Sequence, residues 1–193
     1  MAVSQRRFDP ERRDRIIAAA LDVIAEAGVA GASHRKIAAR ADVPLGSMTY
    51  HFTGMEEVLR EAFTRFAATI AVRFEARMAQ ATTFDEARAA VVDLIHEDLT
   101  GSARELVLTQ ELYTLAAREP LYREITHAWM KQSRDALVRH FDPATCRMLD
   151  ALIEGLSLHA ALDIEEHHRT ATAEAVARIT TPAAARAADA AHN

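Results

Sequence analysis

A chain with one cysteine cannot close an internal disulfide, and Cys146 is the single cysteine in these 193 residues. Stability must then come from packing alone, which fits a reducing compartment, and the expected location is cytoplasmic. Glycine and proline are scarce, at 6 and 5 residues, while half of the chain is apolar and rich in alanine. That balance favours helices over loops or sheet, and no run alternates as a strand would, so the expected fold class is all-α. No uncharged apolar stretch reaches the roughly 18 residues that a membrane span needs, and the N-terminus lacks the apolar core of a signal peptide. No membrane partner is expected.

Catalytic signatures are missing too. There is no H-E-x-x-H pattern, no nucleophile elbow, no phosphate-cradling glycine loop and no cysteine pair. The densest group of ligand-capable residues is His167 and His168 with Asp163, Glu165 and Glu166, and a solvated acidic loop accounts for it. No metal and no cofactor are expected, and the chain does not read as an enzyme. A His-dependent helical enzyme is the weakest of the alternatives.

What is present is concentrated in Ser33 to Phe52, SHRKIAARADVPLGSMTYHF. Ser33 reads as an N-cap, and the small Ala38 allows a second helix to come close. Asp42 falls where a tight turn needs a positive φ, a conformation that Asp tolerates better than most non-glycine residues. Pro44 pre-sets φ for a helix over about Leu45 to His51, and Met48 and Phe52 point back to a core one turn apart. This is helix-turn-helix spacing, although an amphipathic helix pair with no role in nucleic-acid binding has the same spacing. Upstream, Asp9 and Pro10 open a helix carrying Ile16, Ile17, Ala20, Leu21 and Ile24 at helical intervals, and Gly28 closes it. Downstream, Thr53 and Glu56 form a capping box ahead of Val58, Leu59 and Phe63.

On these residues, 12 to 59 resemble the N-terminal domain of the TetR/AcrR family of transcriptional regulators. The match is carried by IIAAALDVIAEAG at 16 to 28, SHRKIAARADV at 33 to 43 and GSMTYHF at 46 to 52, with Glu56 and Leu59 beyond. The resemblance implies a three-helix head reading double-stranded DNA. It puts Arg35 near a base edge, Lys36 and Ser33 near phosphates, and Leu45, Ser47 and Thr49 on the groove-facing side. Tyr50 and His51 would lie beside the DNA backbone. Chemistry supports Arg35 best, because a guanidinium fork pairs two guanine acceptors, while hydroxyls serve either bases or phosphates. Two positions depart from the family: Thr49 stands where tyrosine is usual and Met55 where a phosphate-binding lysine is frequent. Arg6, Arg7, Arg12 and Arg13 are the compensating candidates, as an arm toward the minor groove or simply as a solubilising tail.

Charge is distributed accordingly. Residues 1–52 hold 8 basic against 6 acidic side chains and the remainder 15 against 22, within a net charge of −5. A bulk electrostatic grip on DNA is excluded, so binding must come from a local basic surface used twice along a duplex.

Further capping signals place helices near 54–80, 84–99, 103–118, 120–140, 143–162 and 171–180, from Thr83 with Glu86, Ser102 with Glu105, Pro120, and Asp142 with Pro143. The expected organisation is a DNA-binding head at 1–53, a helical effector-binding and dimerisation domain at 54–180, and a low-complexity tail at 181–193. The helix at 54–80 joins head to body. A homodimer is expected because one head covers one half-site. Its surface would be the pair of helices near 143–162 and 171–180, in a four-helix bundle across the two-fold axis. Leu149, Leu152, Ile153, Leu156 and Ala160, beside Met148, lie there on a stripe too broad for one neighbour, although plain intrachain core accounts for some of these positions. Candidates for a small-molecule effector site are Phe66, Phe74, His96, Gln110, Tyr113, Tyr122, His127, Trp129 and His159, which together suggest a mostly apolar cavity with a few polar groups. The resulting functional expectation is a repressor released from a palindromic operator by a small, largely apolar effector. The same architecture also serves regulators that require their ligand, and a helical interaction module without operator binding is the main alternative.

Overall fold

The computed structural model describes residues 10–98 and 102–181, whose regular secondary structure is all helical, with no strand among them. Among the described residues nine helices follow in order: α1 Arg12–Gly31, α2 His34–Arg40, α3 Gly46–His51, α4 Met55–Gln80, α5 Phe84–Asp93, α6 Ala103–Arg118, α7 Pro120–Leu137, α8 Pro143–Leu162 and α9 Arg169–Thr180. A π-helical turn, Leu94–Asp98, extends α5. No helix among the described residues is long and apolar enough to cross a membrane.

Local chemistry explains most boundaries. Ser33 caps α2 by accepting from the Lys36 amide, and Asp142 caps α8 by accepting from the amides of Ala144 and Thr145, with Pro143 in the first turn. Thr83 and Glu86 form a full reciprocal capping box at α5, and Ser102 Oγ accepts from the Glu105 amide at the start of α6. Asp42 has the expected positive φ, 51°, and Gly28 bends α1 near its end with φ 69°.

Several details differ from the sequence reading. The helix α1 begins two residues after Pro10 behind Glu11, which makes no side-chain cap, and Asp9 lies outside the described residues. At α4 the partner of Thr53 is Glu57, not Glu56: its carboxylate accepts from both the Thr53 amide (2.8 Å) and hydroxyl (2.9 Å). The helix expected over 84–99 changes to π geometry at Leu94, and Leu99 lies outside the described residues. The helix expected to reach 140 ends at Leu137, and the last one starts two residues early, at Arg169. All of the expected tail except Thr181 falls outside the described residues, as do Arg6 and Arg7.

The described residues form two compact units, with residues up to Ala68 and Val107–Thr126 in the first and the rest in the second. In the first, α1, α2, α3 and the start of α4 surround a core of Ile16, Ile17, Ala20, Ile37, Met48, Phe52, Val58 and Ala62. In the second, Phe74, Met78, Val91, Leu94, Leu137, Leu149, Ile153 and Val176 are buried together. There α9 packs on α5 and α8.

Candidate nucleic-acid interface

The helix α3 is only six residues long, so its own hydrogen bonds cannot hold it in place. Packing does so: Met48 is wholly buried and Phe52 nearly so, which leaves the opposite side of α3 outward. That side carries Leu45 (55% exposed) and Tyr50 (83% exposed), together with Thr49. The Thr49 hydroxyl donates back to the Gly46 carbonyl (3.2 Å). Arg35 and Lys36 are exposed on α2, where the Lys36 ammonium donates to the Gly31 carbonyl (2.7 Å).

Arg35, Lys36, Leu45, Thr49 and Tyr50 thus share an accessible position, and His51 and Ser33 are half-buried. The Ser33 hydroxyl already accepts from a backbone amide as a cap. Ser47 departs from the expectation: at 7% exposed it belongs to the head's interior, because it lies beside Met48 on the inward turn of α3. Met55, in place of a basic residue, packs half-buried against the head core.

Arg13 also departs from the expectation of an arm toward the minor groove or a solubilising tail. Its guanidinium donates to the His51 carbonyl, to Glu57 (3.1 Å) and to Glu61 (2.5 Å), and lies 4.3 Å from the centre of the Phe52 ring. The Thr53 amide and hydroxyl, together with Arg13, push the Glu57 carboxyl down to about 2, so it is ionised at every ordinary pH. This network was not foreseen, since Arg13 reads in sequence as one of a basic run. The available signal was its spacing one turn before Ile17 on the inward stripe of α1.

The nine effector candidates do not form one cluster within either unit. Phe66, Gln110, Tyr113 and Tyr122 belong to the first, and Phe74, His96, His127, Trp129 and His159 to the second. Phe66, Phe74, Tyr122 and Trp129 are buried, Gln110, Tyr113 and His96 half-buried, and His127 and His159 exposed. The Tyr122 ring meets Phe63 edge-on at 6.2 Å, and burial raises its phenol pKa, with Glu119 and Glu56 adding to the shift. A surface hollow in the first unit is lined by Thr53, Gly54, Glu56, Glu57 and Arg60, and one in the second by Ala71, Val72, Glu75, Gln132, Asp135, Ala136 and Arg139. Neither contains any of the nine.

On α8, Leu149 and Ile153 are buried in the second unit's own core, whereas Leu152, Leu156 and Ala160 are half-buried. Met148 and Leu162 are exposed at 44% and 64%. Asp163, Glu165, Glu166 and His168 are exposed, and no group of three or more His, Cys, Asp or Glu among the described residues could hold a metal.

Comparison with known proteins agrees with this geometry. Residues 16–62 match the family model "Bacterial regulatory proteins, tetR family", and 82–182 match "Tetracyclin repressor-like, C-terminal domain". The solved structure of SCO7518 from Streptomyces coelicolor A3(2) is 63% identical, with a TM-score of 0.85 over 90% of this chain and 100% of that one. The multidrug binding protein EbrR, solved with ethidium, is 34% identical with a TM-score of 0.76, over 89% and 99% of the two chains. The HTH-type transcriptional regulator SrpR of Pseudomonas putida is 29% identical over 102 residues, a match spanning 53% of this chain and 48% of SrpR. With both its head and its C-terminal helices matched, the chain belongs to the tetR family of bacterial regulatory proteins, as a helix-turn-helix transcriptional regulator and not an enzyme.

Proposed function

We propose that this regulator is a repressor that binds a palindromic operator as a homodimer and is released by a small, largely apolar effector. The observation that carries the proposal is the 34% identity, over nearly the whole chain, to a protein solved with ethidium bound. Ethidium is a flat aromatic cation, and buried aromatic side chains are the kind that such a ligand stacks on; Phe66 and Tyr122 are buried in the first unit and Phe74 and Trp129 in the second.

A single head spans one half-site, and two heads on a two-fold axis would read half-sites about 34 Å apart. The half-buried Leu152, Leu156 and Ala160, flanked by exposed Met148 and Leu162, offer α8 as the self-complementary surface. Release requires only that the effector bind more tightly to a body conformation whose heads are wrongly spaced, and the shift is limited by that difference in affinity. Arg35 would read a base edge, with Leu45, Thr49 and Tyr50 making the remaining groove and backbone contacts.

The test starts with selection of binding sites from a random duplex pool. A palindrome with half-sites one helical turn apart is expected, and malachite green, with which EbrR has also been solved, should give saturable heat when titrated into the DNA-free protein. Dye that binds without weakening the operator complex would overturn release, and a single unpaired half-site would overturn the dimeric mode.

A further inference from the structure

The recognition helix α3 is short, lacks a side-chain cap at its start and ends at His51. Something outside it must fix its C-terminal end, because Met48 and Phe52 hold only its inward side. One guanidinium does this. Arg13 of α1 donates through Nη1 to the His51 carbonyl and through Nη2 to Glu57 and Glu61 on successive turns of α4. Its flat face covers Phe52. Both acceptors are held in turn: Glu57 by the Thr53 amide and hydroxyl, and Glu61 by Arg65, which also reaches Asp14 of α1 at 2.6 Å.

Three of the five N–H hydrogens of Arg13 are directed into the head, and the acids paired with Arg13 and Arg65, namely Glu57, Glu61 and Asp14, outnumber them, so the local field disfavours a phosphate there. A planar fork is also the group suited to this task, since a lysine ammonium lacks the stacking face and the fixed donor geometry. We infer that Arg13 is the positioning residue for operator reading. It joins α1 and the first turns of α4 to the carbonyl end of α3, and so sets the angle at which Leu45, Thr49 and Tyr50 meet the groove. The inference rests on the DNA-binding reading above, and it adds that sequence discrimination depends on a residue that does not touch DNA.

The experiment compares the full-length protein with Arg13→Met, Arg13→Lys and Glu61→Gln on the selected operator and on a scrambled duplex, across salt concentrations. For Arg13→Met the ratio of operator to scrambled affinity should fall roughly tenfold or more, the scale of one lost base contact, with the slope of log K against log salt unchanged. Glu61→Gln removes a negative charge and would tighten binding by electrostatics alone, yet the ratio should fall here too. Arg13→Lys should recover only part of the loss. A retained ratio with a slope smaller by about one would make Arg13 a phosphate contact and overturn the inference.

Amide exchange in the DNA-free protein gives an independent reading. The Phe52 amide, which donates to the Met48 carbonyl, should exchange faster in Arg13→Met, while the Ala41 amide, which donates to the Ile37 carbonyl, should not. Equal acceleration at both would signal general loosening of the head and overturn the inference, as would no change at either. If no duplex is enriched, the proposed operator binding fails, and the exchange comparison alone still decides whether Arg13 holds α3.

Discussion

His96 Nε2 lies 2.8 Å from the hydroxyl of Thr172, joining the π-helical turn after α5 to α9. The Thr172 side chain is almost fully buried, and His167 Nε2 reaches the same oxygen at 3.2 Å, with the two imidazoles stacked at 5.7 Å. A hydroxyl has one hydrogen to give and two lone pairs, so at most one of the two rings accepts from it. Protonation of His96 would remove its ability to accept from that hydroxyl.

Acid should therefore loosen this contact. The groups facing His96 are Asp93 and Glu97 on its own segment, His167 and Arg169 at the start of α9, and Arg77 of α4, which pairs with both acids. Burial lowers the His96 pKa first, Arg169 and His167 lower it further, and the two acids oppose them. A histidine whose folded pKa lies below its unfolded value contributes stability above about pH 6.5 that is lost as pH falls. The thermal midpoint should drop between pH 7.5 and 5.5, and His96→Gln, which keeps a donor and an acceptor without titrating, should flatten that slope. A profile unchanged by the substitution would show that the acid sensitivity lies elsewhere.

Arg35 supplies the most direct test of base reading. It is exposed on α2, next to the outward side of α3, and its fork is the donor set that pairs two guanine acceptors. Arg35→Ala should cost about 1–3 kcal/mol on the selected operator, concentrated at one base pair, and much less on scrambled duplex. Equal loss on both duplexes would assign Arg35 to a phosphate instead.

The positive φ of Asp42 is a small built-in strain. The backbone needs φ 51° there so that the Val43 amide can reach the Ala38 carbonyl (3.0 Å) and turn the chain toward α3. Asp42→Gly should leave stability unchanged or raise it by a few tenths of a kcal/mol, as relief of the left-handed conformation offsets the entropy of a glycine. Asp42→Val should cost about 1–2 kcal/mol, because a branched Cβ crowds the following carbonyl. Denaturant midpoints of the two variants would check the order.

The turn around Asp42 was legible in the sequence because each of its demands is local: a cap, a positive φ, a proline and two inward residues one turn apart. The same holds for Thr83 with Glu86 and for Asp142. What escaped were choices among equivalent neighbours. Glu56 and Glu57 both lie within reach of Thr53 in sequence, and only Arg13, 44 residues from Glu57, favours the second. Ser47 and Thr49 are both small hydroxyl residues on a six-residue helix, and which of them is buried depends on the rotation that Met48 and Phe52 impose. The effector candidates were chosen by residue type, and type does not say which side of a helix meets a cavity. That is why His127 and His159 are exposed while Phe66 and Phe74 are buried.

Gly155 offers the sharpest test of the proposed dimer surface. It sits in the middle of α8, one turn from Leu152 and from His159, and a Cβ added there meets nothing within 4 Å in the protomer. Glycine inside a helix costs roughly 0.5–1 kcal/mol relative to alanine, so its presence here needs a reason that the single chain does not supply. Close approach of a second α8 is such a reason, since small residues let helix backbones pack tightly. Gly155→Ala should raise the stability of the isolated protomer by up to about 1 kcal/mol. Gly155→Arg should keep the helical signal while lowering the solution mass from dimer to monomer, and it should weaken operator binding in step. A dimer of unchanged mass in Gly155→Arg would move the interface off this part of α8, whatever Leu152 and Leu156 contribute to the protomer's own core.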